Sequence, residues 1–193
     1  MPEVSENAAI FIAQSHQAEQ RAKSYSNIED LQFCDSIVCL IFACFYIEET
    51  LNVIKELDRN KKNYLDFFKE IEHPGLFSKM CWFYNKFISE ERVKKYKQFG
   101  GDGLTKEQRF SQRENLVFSE FKNFKQLRDF RDNLSHGIIQ NDISKDFKLV
   151  QELRQSAKDI VCKLLLKSDL KNIRTVYYKD AVKKLVNENN DGD

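Results

Sequence analysis

Proline occurs only at Pro2 and Pro74, and glycine only six times, in a chain of 193 residues. A sandwich or barrel needs turn-forming residues every ten positions or so, and strand-like alternation never persists here. Apolar residues recur instead at a spacing near 3.6, which predicts an all-α fold of five or six helices. Apolar residues at 41% and aromatics at 12% provide a core large enough to offset chain ordering, and the length suits one domain better than two.

From Asn27 to about Asn60, residues Leu31, Val38, Ile41, Phe45, Leu51 and Ile54 fall at helical spacing, with Asn27 as a candidate N-cap. The middle of this helix, Ile37 to Ile47, is apolar all round, so it is expected to be central and buried on most sides. A second helix is predicted over Tyr64 to Glu72, ending before Pro74, and a third from Leu76 to about Tyr96. Between Lys97 and Gln112, the cluster Gly100-Gly101-Asp102-Gly103 reads as a loop; no strand precedes it and its spacing does not fit a phosphate-binding motif. One further helix is expected from Glu114 to Gly137 without a break, and an amphipathic one from Phe147 to Leu165. A short helix through Ile173, Val176 and Tyr177 would precede a frayed end. The organisation is thus a helical or flexible extension over 1–26, a bundle over 27–168 and a tail over 169–193.

A formal net charge of +1 supplies no general basic field, so a nucleic-acid partner would be met by a local patch. Five cysteines, mostly in apolar stretches and without C-x-x-C spacing, are expected to be buried free thiols. Glu3 and Glu6 stand where a signal peptide wants positive charge, and no apolar run is expected to reach the length of a membrane helix. A cytoplasmic protein with no membrane partner is the expectation.

Wound at about 100° per residue, Phe124, Leu127, Arg131, Leu134 and Ile138 share one narrow stripe. Arg131 therefore interrupts an apolar face, where it must either reach the edge of the core or pair with something buried. His136 lies about 140° round from it on an unbroken helix, so the two converge only if the helix ends or a second copy supplies the partner. Gly137 suits a helix end. A histidine there is equally well explained by its interaction with the helix dipole and the last carbonyls.

The run Arg131-Asp132-Asn133-Leu134-Ser135-His136-Gly137 resembles the R-x4-6-H motif of HEPN domains, in which a polar residue commonly follows the arginine. The resemblance extends, as a pattern of helices, over roughly Asn27 to Ser168, including a Glu48-Glu49 pair on the long helix. It implies a HEPN-like helical bundle that dimerises so that two motifs line one cleft and cut RNA without metal or cofactor. Arg131 and His136 match the two functional positions, and Asp132 the polar one. Some HEPN toxins carry a tyrosine two residues after the histidine; here Ile138 stands there, so control by modification at that position is not expected.

The implied chemistry suits these side chains. Histidine titrates near neutrality and can move a proton to or from RNA oxygens, while arginine steadies charge on a pentavalent phosphate. The nucleophile would be the RNA 2′-hydroxyl, so DNA would be spared. Arg128, Lys125, Glu48 and Ser135 are candidate RNA contacts, with Arg92, Lys94, Lys95, Tyr96, Lys97 and Lys122 as a further basic and aromatic surface. Glu48 and Glu49 also fit a solvated pair, and His16 and His73 stand alone without metal-ligand spacing. Expected partners are RNA, a second copy of the chain, and an antitoxin or regulatory protein. Non-catalytic RNA or nucleotide binding, and a helical protein-interaction domain, are the competing readings.

Overall fold

A computed structural model describes residues 2–25, 27–57, 75–88, 114–138 and 145–168. They form α1 (Pro2–Ser24), α2 (Glu29–Leu57), α3 (Leu76–Phe83, continued by a π-helical turn over Tyr84–Ile88), α4 (114–120), α5 (Phe124–Ser135) and α6 (Phe147–Lys167). No strand occurs among the described residues, and the all-α expectation holds. The expectations for Tyr64 to Glu72, His73, Arg92 to Gln112 and 169 onward lie outside the described residues.

α2 is the central helix and packs against α1, α3, α5 and α6. Cys39, Leu40, Ala43, Cys44, Ile47 and Ile54 are fully buried along it. The residues 1–26 contribute α1, whose Ala8, Ile12 and Ala18 join the same core. Small residues on α1 bring its backbone close to α2, and Ser15 Oγ donates to the Cys39 carbonyl at 2.8 Å.

The α2 segment Ile37 to Ile47 is less buried than expected. Val38, Ile41 and Phe42 are half-buried and Phe45 is 38% exposed. A helix apolar on every side does not specify which side its neighbours cover. Here Phe11 of α1 stacks beside Phe42 and Phe45, at centroid distances of 6.1 and 5.6 Å, and leaves the outer face open. α2 also has the length and apolarity of a membrane-crossing helix, contrary to the expectation that no run reaches it, although more than half of that stretch is buried in the fold.

The single helix expected from Glu114 is broken at Phe121 to Asn123. Asn123 adopts φ 62°, a left-handed conformation that asparagine tolerates better than most residues. Its amide donates to Ser156 Oγ of α6 at 2.9 Å, and the Phe124 N–H turns back to the Phe121 carbonyl at 3.1 Å. The break lets Val117, Phe121 and Phe124 all reach the core. α6 begins at Asp146, whose carboxylate caps the Leu149 N–H at 3.1 Å, and buries Val150, Leu153, Ala157, Ile160 and Leu164.

None of the five cysteines forms a disulfide, but only Cys39, Cys44 and Cys81 are buried; Cys34 and Cys162 are exposed. Burial pushes the Cys39 thiol up to about 11 and the Cys44 thiol up to about 12, which makes both poor nucleophiles.

Candidate functional site

The motif occupies the last turn of α5 and the turn that ends it. The Ile138 N–H bonds the Asn133 carbonyl at 2.9 Å and the Gly137 N–H bonds the Leu134 carbonyl at 3.0 Å. This is the paired pattern of a Schellman cap, with Gly137 at φ +73° in the C′ position that the sequence suggested. His136 is the C-cap residue, at φ −95° and ψ 10°. It is exposed, and no described residue bonds its imidazole.

Arg131 sits at the edge of the core. Phe124 and Leu127 before it on the stripe are fully buried, Leu134 after it is partly buried and Ile138 is exposed. Its Nη2 donates to Glu48 Oε2 of α2 at 3.0 Å, and its Nη1 to Asp132 Oδ1 at 3.3 Å. The other Glu48 oxygen, Oε1, accepts from Lys79 Nζ of α3 at 2.8 Å. One turn earlier on both helices, Cys44 Sγ donates to the Leu127 carbonyl at 3.4 Å. Two rungs thus hold α2 and α5 in register, and the outer one is the ion pair. The charges of Lys79, Glu48, Arg131 and Asp132 cancel, so an anion would be drawn here by directed N–H donors and not by net field.

Arg131 and His136 do not face one direction. α5 runs unbroken to Ser135, which leaves the pair about 140° apart around the axis and about 7.5 Å apart along it. Ser135 Oγ donates to the Asp132 carbonyl at 2.7 Å, within the last turn. Glu49 does not join Glu48; its carboxylate accepts from Asn52 at 3.2 Å along α2.

Arg128 is committed to the fold. Its guanidinium bonds Glu114 at 2.6 Å and Asp129 at 2.5 and 2.8 Å, and lies 5.2 Å from the Phe77 ring centre and 4.9 Å from that of Phe118. Burial works against its charge, but the bonds to Glu114 and Asp129 outweigh that and raise its pKa. Asp129 is likewise disfavoured by burial, and its bonds to Lys125 and Arg128 outweigh the effect and lower its pKa. Lys125 reaches the same carboxylate at 2.5 Å while staying 61% exposed, so it can turn to another anion at little cost.

Sequence reasoning missed Lys79. The available signal was its isolation, since it is the one charged residue of Leu76–Phe83 and needs a counter-charge. Among the described residues no three His, Cys, Asp or Glu side chains gather as metal ligands. A cleft of about 530 Å³ lies away from the motif, between the α4–α5 turn and α6, lined by Glu120, Phe121, Asn123, Ser156, Asp159 and Lys163 among others.

Comparison with protein-family models, with characterised proteins and with solved structures returned no match. The motif and its geometry therefore carry the functional argument.

Proposed function

We propose that this chain is a HEPN-like helical bundle acting as a homodimeric, metal-independent endoribonuclease. The observation that supports it is the pairing of an exposed, uncommitted imidazole at the end of α5 with an arginine, five residues earlier, whose guanidinium keeps unspent donors at the rim of the core. His136 takes the 2′-hydroxyl proton, or gives one to the leaving 5′-oxygen, as the 2′-oxygen attacks phosphorus. The bond from phosphorus to the 5′-oxygen breaks, leaving a 2′,3′-cyclic phosphate and a 5′-hydroxyl. Arg131 stabilises the charge that builds on the phosphate oxygens.

The divergence of the pair on one helix is the reason for a second copy, in which His136 of one chain would work beside Arg131 of the other. Phe45, three residues before Glu48 on α2, offers exposed apolar surface within one helical turn of the residue that holds Arg131. The same exposed surface favours the second reading, a protein-interaction domain without turnover. Incubating the protein with single-stranded and structured RNA in EDTA and sequencing the cut ends decides between them. Cyclic phosphate ends on RNA with DNA spared are expected, and intact RNA at micromolar protein would exclude the nuclease.

A further inference from the structure

The four charges around Arg131 alternate in sign from the interior to the surface. Side-chain exposure rises from 13% at Lys79 to 18% at Glu48, 29% at Arg131 and 49% at Asp132. Lys79 is the least accessible of them, yet it is the one charged residue of Leu76–Phe83, where a poorly hydrated ammonium is costly without a partner. That partner is Glu48, whose two oxygens are divided between Lys79 and Arg131, at 2.8 and 3.0 Å.

A carboxylate shared by two cations exerts less net pull on each than it would on one alone, because each cation feels the opposing charge of the other. Lys79 therefore sets how tightly Glu48 holds Arg131. A guanidinium has five N–H donors. One on Nη2 goes to Glu48 and one on Nη1 to Asp132, and the others have no partner among the described residues.

We propose that Lys79 is a positioning residue for this site: it anchors and partly neutralises Glu48, so that Arg131 presents its unspent donors to an RNA phosphate instead of being held by the carboxylate. The inference rests on the reading of Arg131 as an RNA-phosphate contact.

The test uses the full chain and a 2′-O-methylated single-stranded RNA, which lacks the nucleophile and so reports binding alone. Lys79→Met is expected to bind roughly tenfold or more weakly, as the loss of a charge-assisted contact implies. The slope of log affinity against log salt should become shallower by about 0.7, the value for one phosphate contact on a single strand. Lys79→Arg should restore both. The double variant Lys79→Met with Glu48→Gln should recover most of both, because the carboxylate charge that Lys79 balanced is gone while an amide oxygen can still accept from Arg131 and keep it oriented. A lysine that only supports the fold would change the melting temperature, leave the salt slope alone and gain nothing from Glu48→Gln.

Wild-type affinity and slope in Lys79→Met overturn the inference, and so does a binding loss that Glu48→Gln fails to relieve. If Lys79→Met does not fold, Lys79→Gln, which keeps a donor for Glu48 but no charge, carries the test: a shallower slope supports the inference and a wild-type slope overturns it. Wild-type protein that binds the methylated strand but leaves unmodified RNA intact refutes the nuclease and leaves Lys79 to be judged on binding. Wild-type protein that binds no RNA refutes both.

Discussion

Glu48 and Arg131 stand 83 positions apart in sequence and meet at 3.0 Å, where α2 crosses α5. With the contact from Cys44 to Leu127 one turn below, the ion pair fixes which way Arg131 faces. It also explains how a charged residue is accommodated on the stripe that buries Phe124 and Leu127: the aliphatic stem lies along the core and the head finds a counter-charge at its rim. The same contact leaves the arginine partly exposed, which a phosphate contact requires.

His136→Ala and Arg131→Ala are each expected to keep a folded, helical protein and to lower RNA cleavage about a hundredfold or more. Asp132→Asn should do less, since its bond to Arg131 is the longer of the two. If His136 serves only the helix end, its loss lowers stability by at most about 1 kcal/mol and leaves cleavage unchanged. Melting curves and cleavage rates measured on the same preparations separate the two roles.

Gly137→Ala should destabilise the protein by about 1 kcal/mol, the cost of placing a side chain in the left-handed region. A Cβ there would meet nothing within 4 Å at φ +73°, so the whole cost is conformational and not steric crowding. Gly137→Asn should recover part of it, because asparagine tolerates this conformation. Urea unfolding of the three proteins is the measurement; equal stability of glycine and alanine would contradict the cap as described.

What the sequence made legible was local. Gly137 follows the last periodic residue of α5, and its positive φ is a property of glycine itself, so the end of the helix could be read directly. Helical spacing likewise located Arg131 on an apolar stripe. The break at Asn123 was hidden because its left-handed backbone is supported by Ser156, 33 positions away. The ladder from Lys79 to Glu48 to Arg131 was hidden for the same reason, since pairing between three helices leaves no periodic trace. The uniform apolarity of α2 marked it as central but could not reveal that Phe45 would face outward.

Glu19 of α1 and Arg154 of α6 form an ion pair with side chains 11% and 9% exposed, and Gln151 adds a bond to Glu19 at 3.1 Å. The Arg154 Nε is buried with no partner among the described residues, so the pair is incompletely satisfied there. Breaking it on one side by Glu19→Ala should cost about 3–5 kcal/mol, because a buried guanidinium loses its counter-charge. Replacing both by apolar residues, Glu19→Leu with Arg154→Met, should cost far less. Chemical denaturation of the single and double variants would show a double variant more stable than the single; the reverse order would disprove this account.

His16 lies on α1 beside this pair and is exposed in part; partial loss of hydration first, and then the positive charge of Arg154, lowers its pKa from the usual 6.5, with Lys158 adding to the effect and Glu19 opposing it. The unfolded chain therefore binds a proton at His16 more readily than the folded chain does. In the window between the unfolded value near 6.5 and the lower folded value, stability must rise with pH. His16 contributes its full share above that window, and the share is lost as pH falls through it, because protonation would bring a third cation beside Arg154 and Lys158. His16→Gln carries no titrating group, so its melting temperature should fall less than that of the wild type between pH 7.5 and 5.5. Carboxylates titrating at lower pH affect both proteins alike, and the difference between the two melting curves isolates the histidine. An identical acid-induced drop in the two proteins would show that His16 is not coupled to the packing of α1 on α6.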